Sequence, residues 1–244
     1  MKPHSQARHI FSTRSCGRSW MELDSSASSD ALLMNVFCYP RVFSDGRLGR
    51  LLGVEIGSVP DFGVKARVPL VNNQFDRTEV DMRIGKLLVE AKLCEIDFQC
   101  KSCGVLDGYR DFATVFDQRL LVRRKDTPRA NQGGFGDSGE PTLAVSGLRC
   151  RAPTLHDDKF LSYQLIRNVL GAYAMDCSFC VLHDARRPDL REAWYAVMRA
   201  IRNAEMRTRC LALTWQELSS TLPPKLRRFL KQKYGIHDQG PAGD

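Results

Sequence analysis

An aspartate, a glutamate and a lysine that could do chemistry stand inside two short apolar runs between Thr78 and Leu93. The stretch reads TEVDMRIGKLLVEAKL, with Asp81 in the first run and Glu90 and Lys92 in the second. Residues i and i+2 of a strand share a face, so Glu90 and Lys92 are expected side by side. A hairpin that turns near Gly85-Lys86 would bring Asp81 next to them. Buried carboxylates repel unless they are paired or bind a metal, so the pattern predicts a Mg²⁺ or Mn²⁺ site.

A lysine beside such a site has its own chemical use. An ammonium group orients an attacking water and stabilises negative charge on a phosphate. The three residues together therefore predict metal-dependent hydrolysis of a phosphodiester. The alternative interpretation is an exposed strand on which Lys92 makes an ordinary surface ion pair with a neighbouring carboxylate.

Other residues that could bind a metal or react are the paired cysteines and one histidine. Cys100 and Cys103 form one C-x-x-C pair, and Cys177 and Cys180 form another. Four thiolates could hold zinc or an iron–sulfur cluster, which makes a Cys-metal protein an alternative function. Small buried thiols at the start of a strand are the plainer interpretation. His183-Asp184 follows an apolar strand without a nucleophile beside it, and we interpret it as a strand end.

The elements around the hairpin indicate a mixed α/β (α+β) domain. The order along the chain is helix, meander, helix, strand, helix, strand, helix, which is typical of helices flanking a mixed sheet. The predicted elements are a helix in 25–40, a strand in 63–71, a helical centre in 107–122, a helix in 157–175, a strand in 178–185, a helix after Pro188, a strand in 209–215 and one or two helices up to Gly235.

Length and composition set the class of protein. The chain has 244 residues, 43% hydrophobic and 26% charged, with no apolar run long enough to span a membrane. The nine cysteines and the lack of an apolar signal segment in residues 1–21 predict a reducing, cytoplasmic location. We predict one domain over 25–236 with a flexible loop at 123–153, and disordered ends at 1–24 and 237–244.

The charge balance favours a polyanionic partner. The net charge is +8, which fits nucleic acid. Two basic runs stand out, one near Arg123, Arg124 and Lys125 and the other in 225–233. The first run enters the predicted loop and is the better candidate for DNA contact, whereas the second is interpreted as a solvated helix face.

Asp81 followed by Glu90-Ala91-Lys92 on an apolar strand resembles the PD-(D/E)xK nuclease signature. Over most of residues 25–236 the chain is similar to a bacterial group of restriction-endonuclease-like proteins. The stretches that carry this likeness are SSDALLMNVF, EVDMRIGKLLVEAKL, YQLIRNVLGAYA, VLHDARRPDLREAWYAVMRA and LTWQEL. The resemblance implies a restriction-endonuclease-like mixed sheet flanked by helices, and a metal-dependent deoxyribonuclease of restriction or repair type.

The resemblance also implies roles for individual residues. Asp81, Glu90 and the carbonyl of Ala91 would bind Mg²⁺, and Lys92 would position the attacking water. Gln164 resembles the polar residue that many members project into the site from the helix after the sheet strands. Tyr163, Arg167 and Asn168 on the same helix would contact DNA, and a homodimer would be typical when both strands are cut.

The chain departs from the family pattern at two places. Val80, not proline, precedes Asp81, while a literal Pro-Asp pair occurs at Pro60-Asp61. The acid that the family often places on its first helix is unassigned, with Glu22, Asp30 and Glu55 as candidates. A second alternative function is therefore a nucleic-acid-binding module that keeps the fold without catalysis.

Overall fold

The computed structural model describes residues 10–12, 19–21, 25–55, 57–77, 79–125 and 158–237. Most of the predicted disordered ends and of the predicted loop at 123–153 lie outside these ranges. Two differences fall inside them. β1 (Ile10–Ser12) pairs with β2 (Ser19–Met21), and Arg123–Lys125 form a short strand at the start of the predicted loop.

A five-stranded mixed sheet forms the centre of the domain. Its order is β12 (Cys210–Thr214), β11 (Ser178–His183), β7 (Leu87–Ala91), β6 (Glu79–Ile84) and β3 (Pro60–Lys65). β11 runs parallel to β7 and β12, whereas β6 is antiparallel to both of its neighbours. The prediction of a mixed sheet flanked by helices is confirmed.

Short strands extend the meander outside this sheet. β4 (Val68–Pro69) pairs with β5 (Phe75–Asp76). β10 (Asp158–Phe160) lies between β8 (Lys101–Ser102) and β9 (Arg123–Lys125). The strand predicted over 63–71 is thus divided between β3 and β4. The helix predicted from Asp157 begins later, because Asp158–Phe160 is held in this second sheet.

Helices cover both faces of the central sheet. They are α1 (Ser29–Phe37), α2 (Arg47–Leu52), α3 (Cys103–Leu106), α4 (Phe112–Val115), α5 (Tyr163–Ala174), α6 (Pro188–Ala200), α7 (Ala204–Thr208), α8 (Trp215–Ser220) and α9 (Pro224–Tyr234). None of the described helices is long and apolar enough to cross a membrane.

The strands alternate between two hydrophobic cores. On β11, Phe179 and Val181 pack with α5 and α6, while Cys180 and Leu182 pack on the opposite face with α1, α8 and α9. On β7, Leu88 belongs to the first core, and Val89 belongs to the second. By alternation, Glu90 and Lys92 lie on the face of α5. The sheet therefore sets these two charges beneath that helix.

Candidate metal-dependent hydrolase site

Glu90 and Lys92 form a buried ion pair at the carboxyl end of the central strand. Lys92 Nζ lies 2.7 Å from Glu90 Oε1, and the residues are 7% and 0% exposed. The Lys92 amide donates to the Leu182 carbonyl at 2.8 Å, and Trp215 Nε1 donates to the Lys92 carbonyl at 3.0 Å. These two bonds fix the backbone from which the ammonium projects. The pair is thus internal, not the surface pair of the alternative interpretation.

Asp81 joins this pair through the hairpin. Ile84 pairs with Leu87 across the Gly85-Lys86 turn, and the ladder runs to Met82 and Val89. Beyond that point the Asp81 side chain replaces a backbone partner of the ladder. Its Oδ2 accepts a hydrogen bond from the Ala91 amide at 2.7 Å. The predicted hairpin is therefore present, and it brings Asp81 beside Glu90-Ala91.

The strand is irregular at Asp81. Val80 packs in the core on the α5 side, whereas Met82 packs in the other core, although residues two apart normally share a face. Gly63, at the β3 position between the Phe62–Met82 and Val64–Val80 pairs, has a φ of +62°. Its Cβ-free backbone allows this conformation next to Asp81.

Asn168 supports Glu90 from α5. Its Nδ2 donates to Glu90 Oε2 at 2.7 Å, and the residue is 0% exposed. Both Glu90 oxygens are therefore engaged, one by Lys92 and one by Asn168. The resemblance implies a DNA contact for Asn168. Its observed position is instead inside the protein, behind the carboxylate.

Replacing Asn168 with alanine should destabilise the fold, because Glu90 Oε2 loses its buried donor. We expect the free energy of unfolding to fall by about 1–3 kcal/mol. Gln164→Ala is the matched control, one turn earlier on α5, and should change it by less than about 0.5 kcal/mol. Urea denaturation measures both. Equal losses in the two variants would contradict this role for Asn168.

The charges in this cluster interact strongly. Burial raises the pKa of Asp81 well above its usual value, and repulsion from Glu90 and Asp30 adds to the effect. Burial also raises the pKa of Glu90, against the opposing attraction of Lys92. Burial alone would lower the pKa of Lys92, but Glu90 and Asp81 outweigh it and raise that pKa. The Lys92 ammonium thus attracts both carboxyl groups, by direct contact with Glu90 and by electrostatic interaction with Asp81.

Asp30 is the acid of the first helix that acts on the site. It lies in the first turn of α1, after the N-cap Ser28, whose side chain accepts from the Ala31 amide. The residue before Asp30, Ser29, contacts the segment that follows β7, because Ser29 Oγ donates to Glu95 Oε1. Sequence spacing could not distinguish Asp30 from the other candidate acids, because the residues of α1 do not indicate where the helix docks on the sheet. Glu22 lies outside the described residues.

The remaining predicted residues of α5 lie around the cluster. The backbone N–H of Gln164 donates to the Phe98 carbonyl. The ring centroid of Phe98 lies 5.7 Å from Lys92 Nζ. Tyr163 is 5% exposed, with its hydroxyl 2.7 Å from that of Tyr109. Arg167 acts on Glu90 electrostatically and lies over the Tyr163 ring. Tyr163 thus has a core environment, while Arg167 is half-buried.

The predicted basic contacts of the loop lie outside this cluster. Arg123, Arg124 and Lys125 belong to β9, which pairs with β10 and not with the central sheet. Arg123 lies over the Phe160 ring, with its guanidinium carbon 4.8 Å from the centroid, while Arg124 is exposed. Of the literal Pro-Asp pair, Asp61 is exposed on the edge strand β3, opposite Arg83.

The cysteine and histidine residues do not form a second metal site in the described part of the chain. There, no group of three or more His, Cys, Asp or Glu side chains could hold a metal ion. Cys177 and Cys180 pack in the two different cores, on opposite faces of the sheet. Burial raises the pKa of Cys180 to about 12, which keeps it a neutral thiol. His183 is buried, with Nδ1 3.0 Å from the Asp184 carbonyl.

The donor set at the hairpin suits a hard divalent cation. Two carboxylates provide oxygen ligands, and relief of their repulsion would favour a cation. The amide and carbonyl of a strand residue point to the same side, so the Ala91 carbonyl faces β6, as its amide does. Mg²⁺ commonly keeps waters and substrate phosphate as its other ligands, so two protein carboxylates are sufficient.

The family comparison covers almost the whole chain. The sequence pattern of a family described as restriction endonuclease associating with ARP matches residues 4–235. No curated protein and no solved structure matches the chain. The matched range includes the central sheet, the hairpin with Asp81, Glu90 and Lys92, and the helices on both faces. The chain belongs to this restriction-endonuclease-like family.

Proposed function

We propose that this protein is a metal-dependent nuclease of the PD-(D/E)xK type that hydrolyses phosphodiester bonds of DNA. The observation that carries the proposal is the buried cluster at the end of β7. There, Lys92 pairs with Glu90, and Asp81 binds the Ala91 amide. Taking charged groups out of water costs free energy that their mutual attraction need not return, so a function explains this cluster better than a gain in stability does. Family membership supports nuclease activity independently.

Asp81, Glu90 and the Ala91 carbonyl would hold Mg²⁺, or Mn²⁺ in its place. A bound divalent cation supplies a Lewis acid for the phosphate and lowers the pKa of a bound water. Asp81 lies next to Ala91 through its hydrogen bond, which keeps the proposed ligands together. Asn168 orients the Glu90 carboxylate as an outer partner of the site.

Lys92 would act on the attacking water and on the phosphate. In the reaction, a water oxygen attacks phosphorus in line, the bond from phosphorus to one ester oxygen breaks, and that oxygen gains a proton. The Lys92 ammonium is fixed by Glu90 and by the two hydrogen bonds of the Lys92 backbone. It can therefore orient the water and stabilise the negative charge that develops on the phosphoryl oxygens. One chain provides one such site, so cutting both strands would use a homodimer.

Cleavage of plasmid and linear DNA by the wild-type protein tests this function. We expect cutting with Mg²⁺ or Mn²⁺ and none with EDTA. Loss of the linear substrate from its ends would indicate exonuclease action, and nicked or linearised plasmid would indicate endonuclease action. A folded protein that binds DNA but leaves it intact with every metal would contradict the proposal. That result would favour the non-catalytic binding module.

A further inference from the structure

The last helix is strongly basic. α9 carries Lys225, Arg227, Arg228, Lys231 and Lys233, and its sequence contains no acid. Leu226, Leu230 and Tyr234 are buried and fix the helix on the sheet. The cations therefore occupy the remaining surface of a firmly packed element.

The helix dipole accounts for only part of this charge. The N-terminal end of a helix is electropositive and favours Asp or Glu, whereas cations are stabilising at the C-terminal end, and both effects fall off within one turn. Lys231 and Lys233 lie in the last turn and follow this rule. Lys225 lies in the first turn and does not, while Arg227 and Arg228 lie beyond the first turn. The dipole therefore gives a reason for the two lysines of the last turn but not for the other three cations.

A cavity lies against this basic surface. Its volume is about 430 Å³. It is lined by Pro224, Arg227, Arg228, Lys231, Ile236 and His237. Three of the lining residues are cationic, a fourth is a histidine and none is acidic. Arg228 and Lys231 are exposed and make no ion pair with any other residue of the described ranges. This lining suits an anion, and above all a phosphate, which accepts from several cations at once.

Hydrogen bonds link the C-terminal end of α9, beside the cavity, to the end of the sheet that carries the candidate site. The Tyr234 carbonyl accepts from Arg186 Nη2, and Arg186 is bonded to Asp184, just after β11. At the end of β11, Leu182 pairs with Ala91. These contacts bring the C-terminal end of α9 to the end of the sheet at which Ala91 lies, while α9 itself packs on the face opposite α5. DNA bound at this end of the sheet could therefore contact both the candidate site and α9.

We propose that this cavity binds a backbone phosphate of the DNA, away from the bond that is cut. The proposal rests on the proposed function, because it identifies the substrate of that site as a strand long enough to reach α9. The site would hold the DNA in position without reading its sequence, since phosphate contacts carry no base information.

The test is DNA affinity of the full chain, measured by fluorescence anisotropy with a labelled duplex of roughly two helical turns. EDTA in the buffer prevents metal-dependent cutting. The test variant is Arg228→Glu with Lys231→Glu. The matched control is Arg199→Glu with Arg202→Glu, two exposed arginines, one in the last turn of α6 and one just after it. Both variants change the net charge equally, and thermal denaturation checks that both are folded.

We expect the α9 variant to bind at least about tenfold more weakly, and its log affinity to depend less steeply on log salt, by about one phosphate contact. The α6 control should keep its affinity and salt slope. Unchanged affinity in the α9 variant overturns the inference, as does an equal loss in the control, which would mean only a net-charge effect. A wild type that does not bind DNA also overturns it.

The same protein preparations separate this inference from the proposed function. Wild type that cuts DNA while the α9 variant binds normally leaves the nuclease in place and removes the phosphate site. Wild type that never cuts, together with an α9 variant that binds weakly, supports the phosphate site and contradicts the nuclease.

Discussion

Asp81→Asn should abolish metal-dependent DNA cleavage and at the same time make the protein more stable. We expect the cleavage rate to fall by at least about 100-fold, since loss of even an outer partner of a metal site can have that effect. Burial and repulsion from Glu90 and Asp30 raise the pKa of Asp81, so its charge opposes folding at neutral pH. Asparagine removes the charge and can still accept from the Ala91 amide. The free energy of unfolding should rise by on the order of 1 kcal/mol.

The pH dependence of stability gives the sign of this effect. A carboxyl group whose pKa is higher in the folded state favours folding when protonated, and this contribution is lost as the pH rises through its folded-state pKa. The gain from Asp81→Asn should therefore be small near pH 4 and grow toward neutral pH. Added Mg²⁺ should stabilise the wild type and not the variant.

Asp61→Asn is the control for this prediction. Asp61 belongs to the literal Pro-Asp pair but is exposed on β3. Its variant should keep wild-type cleavage and stability. Urea titrations between pH 4 and 8 measure the stability of all three proteins. A fall in stability for Asp81→Asn at neutral pH would contradict the electrostatic argument.

Lys92→Met should abolish cleavage and strongly destabilise the protein. Removing the ammonium leaves Glu90 charged, fully buried and held only by Asn168. Breaking a buried ion pair in this way costs about 3–5 kcal/mol. In the variant, protonation of Glu90 removes the cost of burying its charge, so the folded-state pKa of Glu90 lies above the unfolded value. The loss of stability should thus be largest at neutral pH and shrink toward pH 4.

Two further variants control for this result. Glu90→Gln combined with Lys92→Met removes both charges and should recover most of the stability without recovering cleavage. Lys86→Met breaks the exposed pair with Asp176, in which Lys86 Nζ is 2.8 Å from the carboxylate, and should leave the stability close to that of the wild type. Similar losses for Lys92→Met and Lys86→Met would contradict the burial argument.

Features that depend on short-range rules could be predicted from the sequence. The two-residue turn at Gly85-Lys86 sets the hairpin register, and strand alternation sets Glu90 and Lys92 on one face. Together they bring Asp81 to the same place, because few residues separate the three. The helix after Pro188 and the helix end at Gly235 follow from local rules in the same way.

Features that depend on long-range docking could not be predicted in this way. Asn168 has a polar side chain on an apolar helix, which indicates a special role but not that Glu90 is its partner. Asp30 acts on Asp81 only because α1 docks with its first turn near the end of β7. The late start of α5 has the same cause, since Asp158–Phe160 pairs with strands more than 30 residues away in the sequence.

The most direct test measures the rate of Mg²⁺-dependent DNA cleavage by four proteins. They are the wild type, Asp81→Asn, Lys92→Met and the variant that combines Asp81→Asn with Lys92→Met. If the two residues act in one catalytic unit, each single change should lower the rate by at least about 100-fold. The double change should lower it no further than the worse single change, because effects within a unit are not additive. If the variant with both residues replaced cuts DNA as fast as the wild type, the active site lies elsewhere and this assignment is contradicted.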